Sequence, residues 1–210
     1  MLTINPDFSI NKPQNLNLKK PNSFNRNPMR DSVSFSGAMT VIRPVKNKEE
    51  IKELLTVFFK AIKHNLEPDK KTPAWLEKID KYLSLLPFYS TTKLPNNITE
   101  VVKHKNKVAG GYSICVNTEK QSAHIGFITL APEYMKTKSG IAILKGIAES
   151  ICQNAEVNNI KELTWTTNAK NKQINRILNR FSPEKVRSLP LGETEYKISL
   201  ESFKQKLNNL

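Results

Sequence analysis

The residues best placed to do chemistry are Lys136, Lys138, Ser139 and Gly140, in the stretch Tyr134-Met-Lys-Thr-Lys-Ser-Gly-Ile-Ala142. Before them, Phe127 to Leu130 reads as a buried strand. Pro132 ends it, because proline has no N–H for a ladder. After them, from Ile141, the apolar spacing turns helical. A helix start leaves unpaired N–H groups and the positive end of the backbone dipole. Two lysines add charge, and a glycine admits a ligand close to the backbone. The chemistry expected of this turn is anion binding, with a pyrophosphate as the fitting guest. The plain alternative is a strand–loop–helix joint with solvated lysines.

Other reactive side chains are sparse. His124 falls on the strand before the turn, and Glu100 and His104 fall on an earlier strand. A single histidine on a strand is more often packed than catalytic, so no general base is assigned. Cys115 and Cys152 sit in apolar runs and are expected as reduced core residues. No CxxC or metal-ligand spacing surrounds them, and no metal site is expected. Nucleophile-elbow, phosphate-loop and GxGxxG motifs are all missing.

The 210 residues fit one domain with a tail. A formal charge of +14 draws anionic cofactors, nucleic acid or anionic membranes without choosing among them. No apolar stretch is long enough to span a bilayer. The first residues lack the apolar core of a secretory signal, and a cytoplasmic location is expected. Residues 1–37 are rich in Asn, Pro, Ser and Lys. They hold too few apolar side chains to offset the entropy of ordering, and a disordered tail is expected there.

The elements that must position the turn follow in order. Residues 38–45 read as a strand. Asn47 with Glu50 three residues on resembles a capping box, and Ile51, Leu54, Leu55, Phe58, Phe59 and Ile62 recur at helical spacing. Thr72-Pro73 starts a second helix that Pro87 stops. Residues 99–104, 108–116 and 123–130 form an antiparallel meander across two polar turns. Gly110-Gly111 marks a bulge or a close backbone approach. A helix over 139–154, apolar on much of its circumference, is expected to be well buried. A strand over 163–167 then implies a crossover and a parallel pair. A short helix over 171–181 carries Ile174, Ile177, Leu178 and Phe181 inward. Strands over 186–191 and 194–200 flank Gly192, and residues 201–210 form a polar helix or tail.

This order and the turn together resemble the GNAT superfamily of N-acetyltransferases over residues 38–200. In that family a strand ending in Pro-Glu-Tyr leads to Gln/Arg-x-x-Gly-x-Gly/Ala at a helix start. Pro132, Glu133 and Tyr134 match the first part, and Gly140, Ile141 and Ala142 match the last. Thr137 stands where Gln or Arg is usual, and the turn is one residue longer. The resemblance implies an α/β fold: a mixed, mostly antiparallel sheet of six to seven strands with helices on both faces. It implies acetyl-CoA as acyl donor, held by Ile128, Thr129, Leu130, Lys136, Thr137, Lys138, Ser139, Gly140, Ile141, Ala142 and Asn171. Pantetheine would lie where the strand of Ile128 to Leu130 splays from the next parallel strand, with the Leu130 N–H at the oxyanion. Asn171 would bond the cofactor or only cap its helix, and Ile174 replaces the family's alanine.

The tyrosine that protonates the departing thiolate in the family is Leu178 here. The glycine expected before Phe181 is also missing, and no catalytic residue is assigned. The implied activity is acetyl transfer to an amine of a small molecule, peptide or protein. Two alternatives stay open: a GNAT-fold module that binds CoA or a partner without catalysis, and a basic nucleic-acid-binding domain.

Overall fold

A computed structural model describes residues 40–66, 96–169 and 171–209. The tail and the second helix expected from the sequence lie outside these residues. Seven strands form one sheet. β1 (Thr40–Pro44), β2 (Asn97–His104), β3 (Lys107–Asn117) and β4 (Ser122–Leu130) run antiparallel in succession. β5 (Glu162–Asn168) pairs parallel with β4. β7 (Glu193–Ser199) pairs antiparallel with β5, and β6 (Glu184–Leu189) takes the edge beside β7. The helices are α1 (Lys48–Leu66), α2 (Lys138–Val157), α3 (Lys172–Arg180) and α4 (Leu200–Asn208). The expected meander, parallel pair and mixed sheet are all present.

Local chemistry sets the turns. Lys105 and Asn106 both take positive φ, 50° and 64°, which makes the two-residue loop between β2 and β3 twist with its strands. Gly192, at φ 76°, lies just before β7 in the same left-handed region, which a glycine occupies at no steric cost. The paired glycines meet the expectation of a close backbone approach, and a bulge lies beside them. Ala109 is an extra residue in the β2–β3 ladder, since Gly110 pairs with Val102 but Val108 pairs with Lys103. A β-carbon on Gly111 would stand 2.4 Å from the Glu100 carbonyl and 2.7 Å from Leu54 of α1. That absence of side chain lets α1 lie against the sheet.

The two faces of the sheet follow from β3, whose residues alternate. Gly111 faces α1, while the Tyr112 hydroxyl bonds Ser150 on α2. On the α2 face Ile143, Ile147 and Ile151 pack with Ile114, Ile125, Leu163 and Trp165.

Five expectations are corrected, the first being that Ile177 of α3 points inward: it is 39% exposed, on the side that β5 leaves open. Asn47 caps α1, accepting from the Glu50 N–H at 2.9 Å, but the Glu50 carboxylate does not return to Asn47. It accepts from the Lys46 N–H and pairs with Arg43 and Lys103, because β1 and β2 bring both cations to the helix start. Cys115 is exposed rather than core, since alternation gives Ile114 and Val116 the α2 face and turns Cys115 away; Cys152 is buried. Ile141 is 69% exposed, because the buried stripe of α2 runs through Gly140, Ile143 and Ile147. The C-terminal helix is amphipathic rather than polar. Leu200, Phe203 and Leu207 of α4 join the core, Phe203 stacks on Phe181, and the Lys206 ammonium donates to the Phe181 carbonyl at the end of α3. Among the described residues no helix is long and apolar enough to cross a membrane.

Candidate functional site

The sheet opens between β4 and β5. The two strands pair only from Ser122 opposite Glu162 to Ile125 opposite Trp165, although both continue beyond. The divergence begins where β4 carries an extra residue. Ser113 pairs with Phe127 and Ile114 with Ile125, which leaves Gly126 as a bulge. A bulge bends its strand and ends regular pairing on the far side.

Past the bulge, β4 keeps β3 as its neighbour and loses β5. The Ala131 N–H bonds the Ala109 carbonyl at 2.8 Å, and Leu130 stands opposite Gly110. Antiparallel alternation therefore turns the N–H and C=O of Ile128 and Leu130 away from β3, into the gap.

A cleft of about 630 Å³, open to solvent, occupies this gap. Ile128, Thr129 and Leu130 form its floor. Phe58, Ala61 and Ile62 of α1 form one wall, with Met135 of the turn and Leu144 of α2 beside it. Asn171, Ile174 and Ile177 of α3 close the side that β5 has left. Four of the residues expected from the sequence thus meet here: Ile128, Thr129, Leu130 and Asn171. The α1 wall was legible only as a buried helix face; its role depends on where that face lands.

Among the described residues, three buried side-chain polar atoms lack a partner: Thr129 Oγ1, Trp165 Nε1 and Thr167 Oγ1. All three lie on the two strands that separate. Thr129 pairs with Gly111 and shares the α1 face. Trp165 stands opposite Ile125 and shares the α2 face, as does Thr167 two residues on. A buried hydroxyl or indole N–H without a partner costs about 1–3 kcal/mol. Such groups call for an explanation; of the three only Thr129 lines the cleft, and a ligand lying there is one explanation for it.

The basic turn sits at the mouth of α2. Pro132–Tyr134 form a 3-10 turn, Lys136 takes φ 64°, and Thr137 caps α2. The Thr137 hydroxyl accepts from the Gly140 N–H at 2.9 Å and donates to the Tyr134 carbonyl at 2.7 Å. The residue at the usual Gln/Arg position is thus spent inside the turn. Gly140 also has a different reason from the one expected. A β-carbon there would stand 1.9 Å from the Tyr134 carbonyl oxygen, so the glycine serves close packing of the chain on itself. The N–H groups of Lys138 and Ser139, first in the helix, have no helical acceptor. Lys136, Lys138, Ser139, Ile141 and Ala142 are exposed around them and do not line the cleft.

The other titratable residues weighed from sequence lie elsewhere. The His104 Nδ1 is 2.8 Å from Thr40 Oγ1, and its ring packs edge-on to Tyr134. His124 stands where β4 and β5 are still paired, 3.0 Å from Thr164 Oγ1. Burial lowers its pKa, with Glu195 opposing. Glu100 turns to the α2 face, bonded by Tyr112 and Ser150. The Asn171 side chain caps α3, accepting from the Ile174 N–H at 3.3 Å, and Asn171 also lines the cleft. Leu178 packs half-buried against the core. Among the described residues no cluster of three His, Cys, Asp or Glu side chains could hold a metal.

No protein-family model matches the sequence, and no curated protein is similar to it. Solved structures are similar in fold. A PaiA N-acetyltransferase from Thermoplasma acidophilum, in complex with coenzyme A, superposes with a TM-score of 0.58 at 13% identity, over 76% of this chain and 98% of that one. A GNAT-family acetyltransferase from Staphylococcus aureus gives 0.58 at 12% identity, over 77% and 99%. An acetyltransferase from Thermus thermophilus gives 0.53 at 14%, over 76% and 96%. With its mostly antiparallel seven-stranded sheet, its parallel pair opening beyond a bulge and its helix start at the opening, this chain has the fold of the GNAT acetyltransferases.

Proposed function

We propose that this protein is an acetyl-CoA-dependent N-acyltransferase. The observation that carries the reading is the opening between β4 and β5, where backbone groups of Ile128 and Leu130 face a cleft instead of a strand. Pantetheine carries two amides and would use those groups as a strand would. A structure of similar fold is in complex with coenzyme A, which supports CoA as the guest.

The pyrophosphate would rest at the start of α2. The Lys138 and Ser139 N–H groups supply two donors, and Lys136 and Lys138 supply charge. The Gly140 N–H is bonded to Thr137, so the lysines carry a larger share here. Binding should then weaken with added salt. Acyl transfer proceeds by direct attack of a neutral amine on the thioester carbonyl. The Leu130 N–H faces the developing oxyanion, and a preorganised donor of this kind contributes about 3 kcal/mol to catalysis. Leu178 cannot protonate the leaving thiolate. A thiolate is a fair leaving group and can take its proton from water.

The test is thermal unfolding of the full chain with and without acetyl-CoA, followed by free-thiol release with an amine panel. Acetyl-CoA at about 100 times its Kd should add roughly 2.7 kcal/mol of stability. Absence of any shift in folded protein removes the proposal. A shift with no thiol release for any amine favours a binding module, a reading that Leu178 and the internally bonded Thr137 motivate.

A further inference from the structure

We propose that the acceptor is a weakly basic amine on an apolar body, an arylamine in chemical class, and that the Thr129 hydroxyl is the group that orients it. The inference rests on the acyltransferase reading and concerns the α1 side of the same cleft. Phe58, Ala61 and Ile62 supply an apolar wall there. Phe58 sits edge-on to both Phe59 and Phe127, which fixes an aromatic surface beside β4. Thr129 lies on this face, 3% exposed, with its hydroxyl oxygen unpartnered. It immediately precedes Leu130, whose N–H faces the expected thioester carbonyl. A hydroxyl kept there without a partner is accounted for if a substrate N–H bonds it.

The same walls decide the protonation state. An apolar pocket disfavours an ammonium ion, because desolvation penalises charge. Among the described residues, no carboxylate or imidazole lines the cleft to remove a proton. An acceptor that arrives neutral fits these walls. An arylamine is largely neutral at pH 7, whereas an alkyl polyamine is not, and the aromatic body fills the phenylalanine wall. In the reaction the amine lone pair forms the N–C bond, the C–S bond breaks, and CoA leaves as thiolate. The ammonium proton of the tetrahedral adduct passes to solvent or to that thiolate. Thr129 accepts a hydrogen bond from the amine and is unchanged at the end.

Thiol release is measured at pH 7 with 4-methoxyaniline and spermidine as probes, and acetyl-CoA binding is followed in parallel by thermal shift. Expected is a kcat/KM at least tenfold higher for 4-methoxyaniline. Thr129→Val should raise the KM for 4-methoxyaniline about tenfold. Thr129→Ser should restore the KM. Spermidine preferred, an unchanged KM in Thr129→Val, or acetyl-CoA binding with neither amine acetylated each overturns the inference alone. Loss of the acetyl-CoA shift in the wild type overturns the acyltransferase reading and this inference with it.

Discussion

Two groups of buried polar side chains lie on the same sheet, and they are treated in opposite ways. Between β2, β3 and α2, Glu100 accepts from the Tyr112 hydroxyl at 2.8 Å, from Ser150, and from Asn154 at 3.3 Å. Asn154 also donates to the Tyr112 oxygen at 2.7 Å. Burial, with the Glu100 charge beside it, pushes the Tyr112 phenol well above its ordinary range, so it stays a donor. Along β4 and β5 the hydroxyls of Thr129 and Thr167 and the indole of Trp165 are buried without partners. A satisfied network holds one arrangement of a core. An unsatisfied set beside an opened strand pair costs stability, and at a functional site that cost is ordinarily offset by a ligand. The sheet is closed at one side and open at the other.

The largest effect is expected at the hinge of the open side. Gly140→Ala places a β-carbon against the Tyr134 carbonyl, and backbone cannot yield cheaply. A loss of about 3 kcal/mol is expected from overpacking, read as a lowered urea midpoint. An unchanged midpoint would show that the turn can move, and would reopen Gly140 as a ligand-facing residue.

Next comes Tyr112→Phe, which strips one hydroxyl from the satisfied network. It should cost about 1–3 kcal/mol, because Glu100 and Asn154 each lose a buried partner. A neutral result would mean that water or repacking replaces the phenol, and the contrast between the two sides would fail.

The Glu50 cluster adds a pH test on the closed side. Hydrogen bonds from Arg43 hold the Glu50 carboxyl well below the usual range, with Lys103 and the Lys46 N–H adding to them against burial. Its contribution is fully present above the unfolded value of about 4.3 and is lost as pH falls below that. Glu50→Gln should be less stable than wild type at pH 7, with the gap narrowing on acidification. Parallel pH–stability curves would remove the cluster from the account.

The smallest expected change is at Thr129. Thr129→Val deletes a hydroxyl as Tyr112→Phe does, yet the ligand-free protein should lose nothing and gain up to about 1 kcal/mol. A clear destabilisation would mean that the hydroxyl has a structural partner and is not waiting for a ligand.

Much of the frame was readable in the residues. Helical spacing in Ile51 to Ile62 and in Ile143 to Ile151, polar turns at Lys105-Asn106 and after Asn117, and Pro132 after an apolar run placed most elements within a few positions. The errors share a cause. Ile141, Cys115 and Leu207 are apolar or soft side chains in periodic runs. Which of them faces the core depends on where a neighbouring element lies, and no local pattern carries that. Glu50 sat at its expected distance from Asn47, but its partners come from two strands distant in sequence.

The candidate site divides the same way. Sequence by itself determined the basic turn, the strand of Ile128 to Leu130 and the start of a helix at Asn171. These are matters of residue identity and short-range spacing. Only the tertiary structure decided that β4 parts from β5 after Ile125, that Gly140 packs against Tyr134, and that Phe58, Ala61 and Ile62 face Thr129. Those facts depend on ladder register and on helix placement across the sheet, which arise from contacts between segments far apart in the chain.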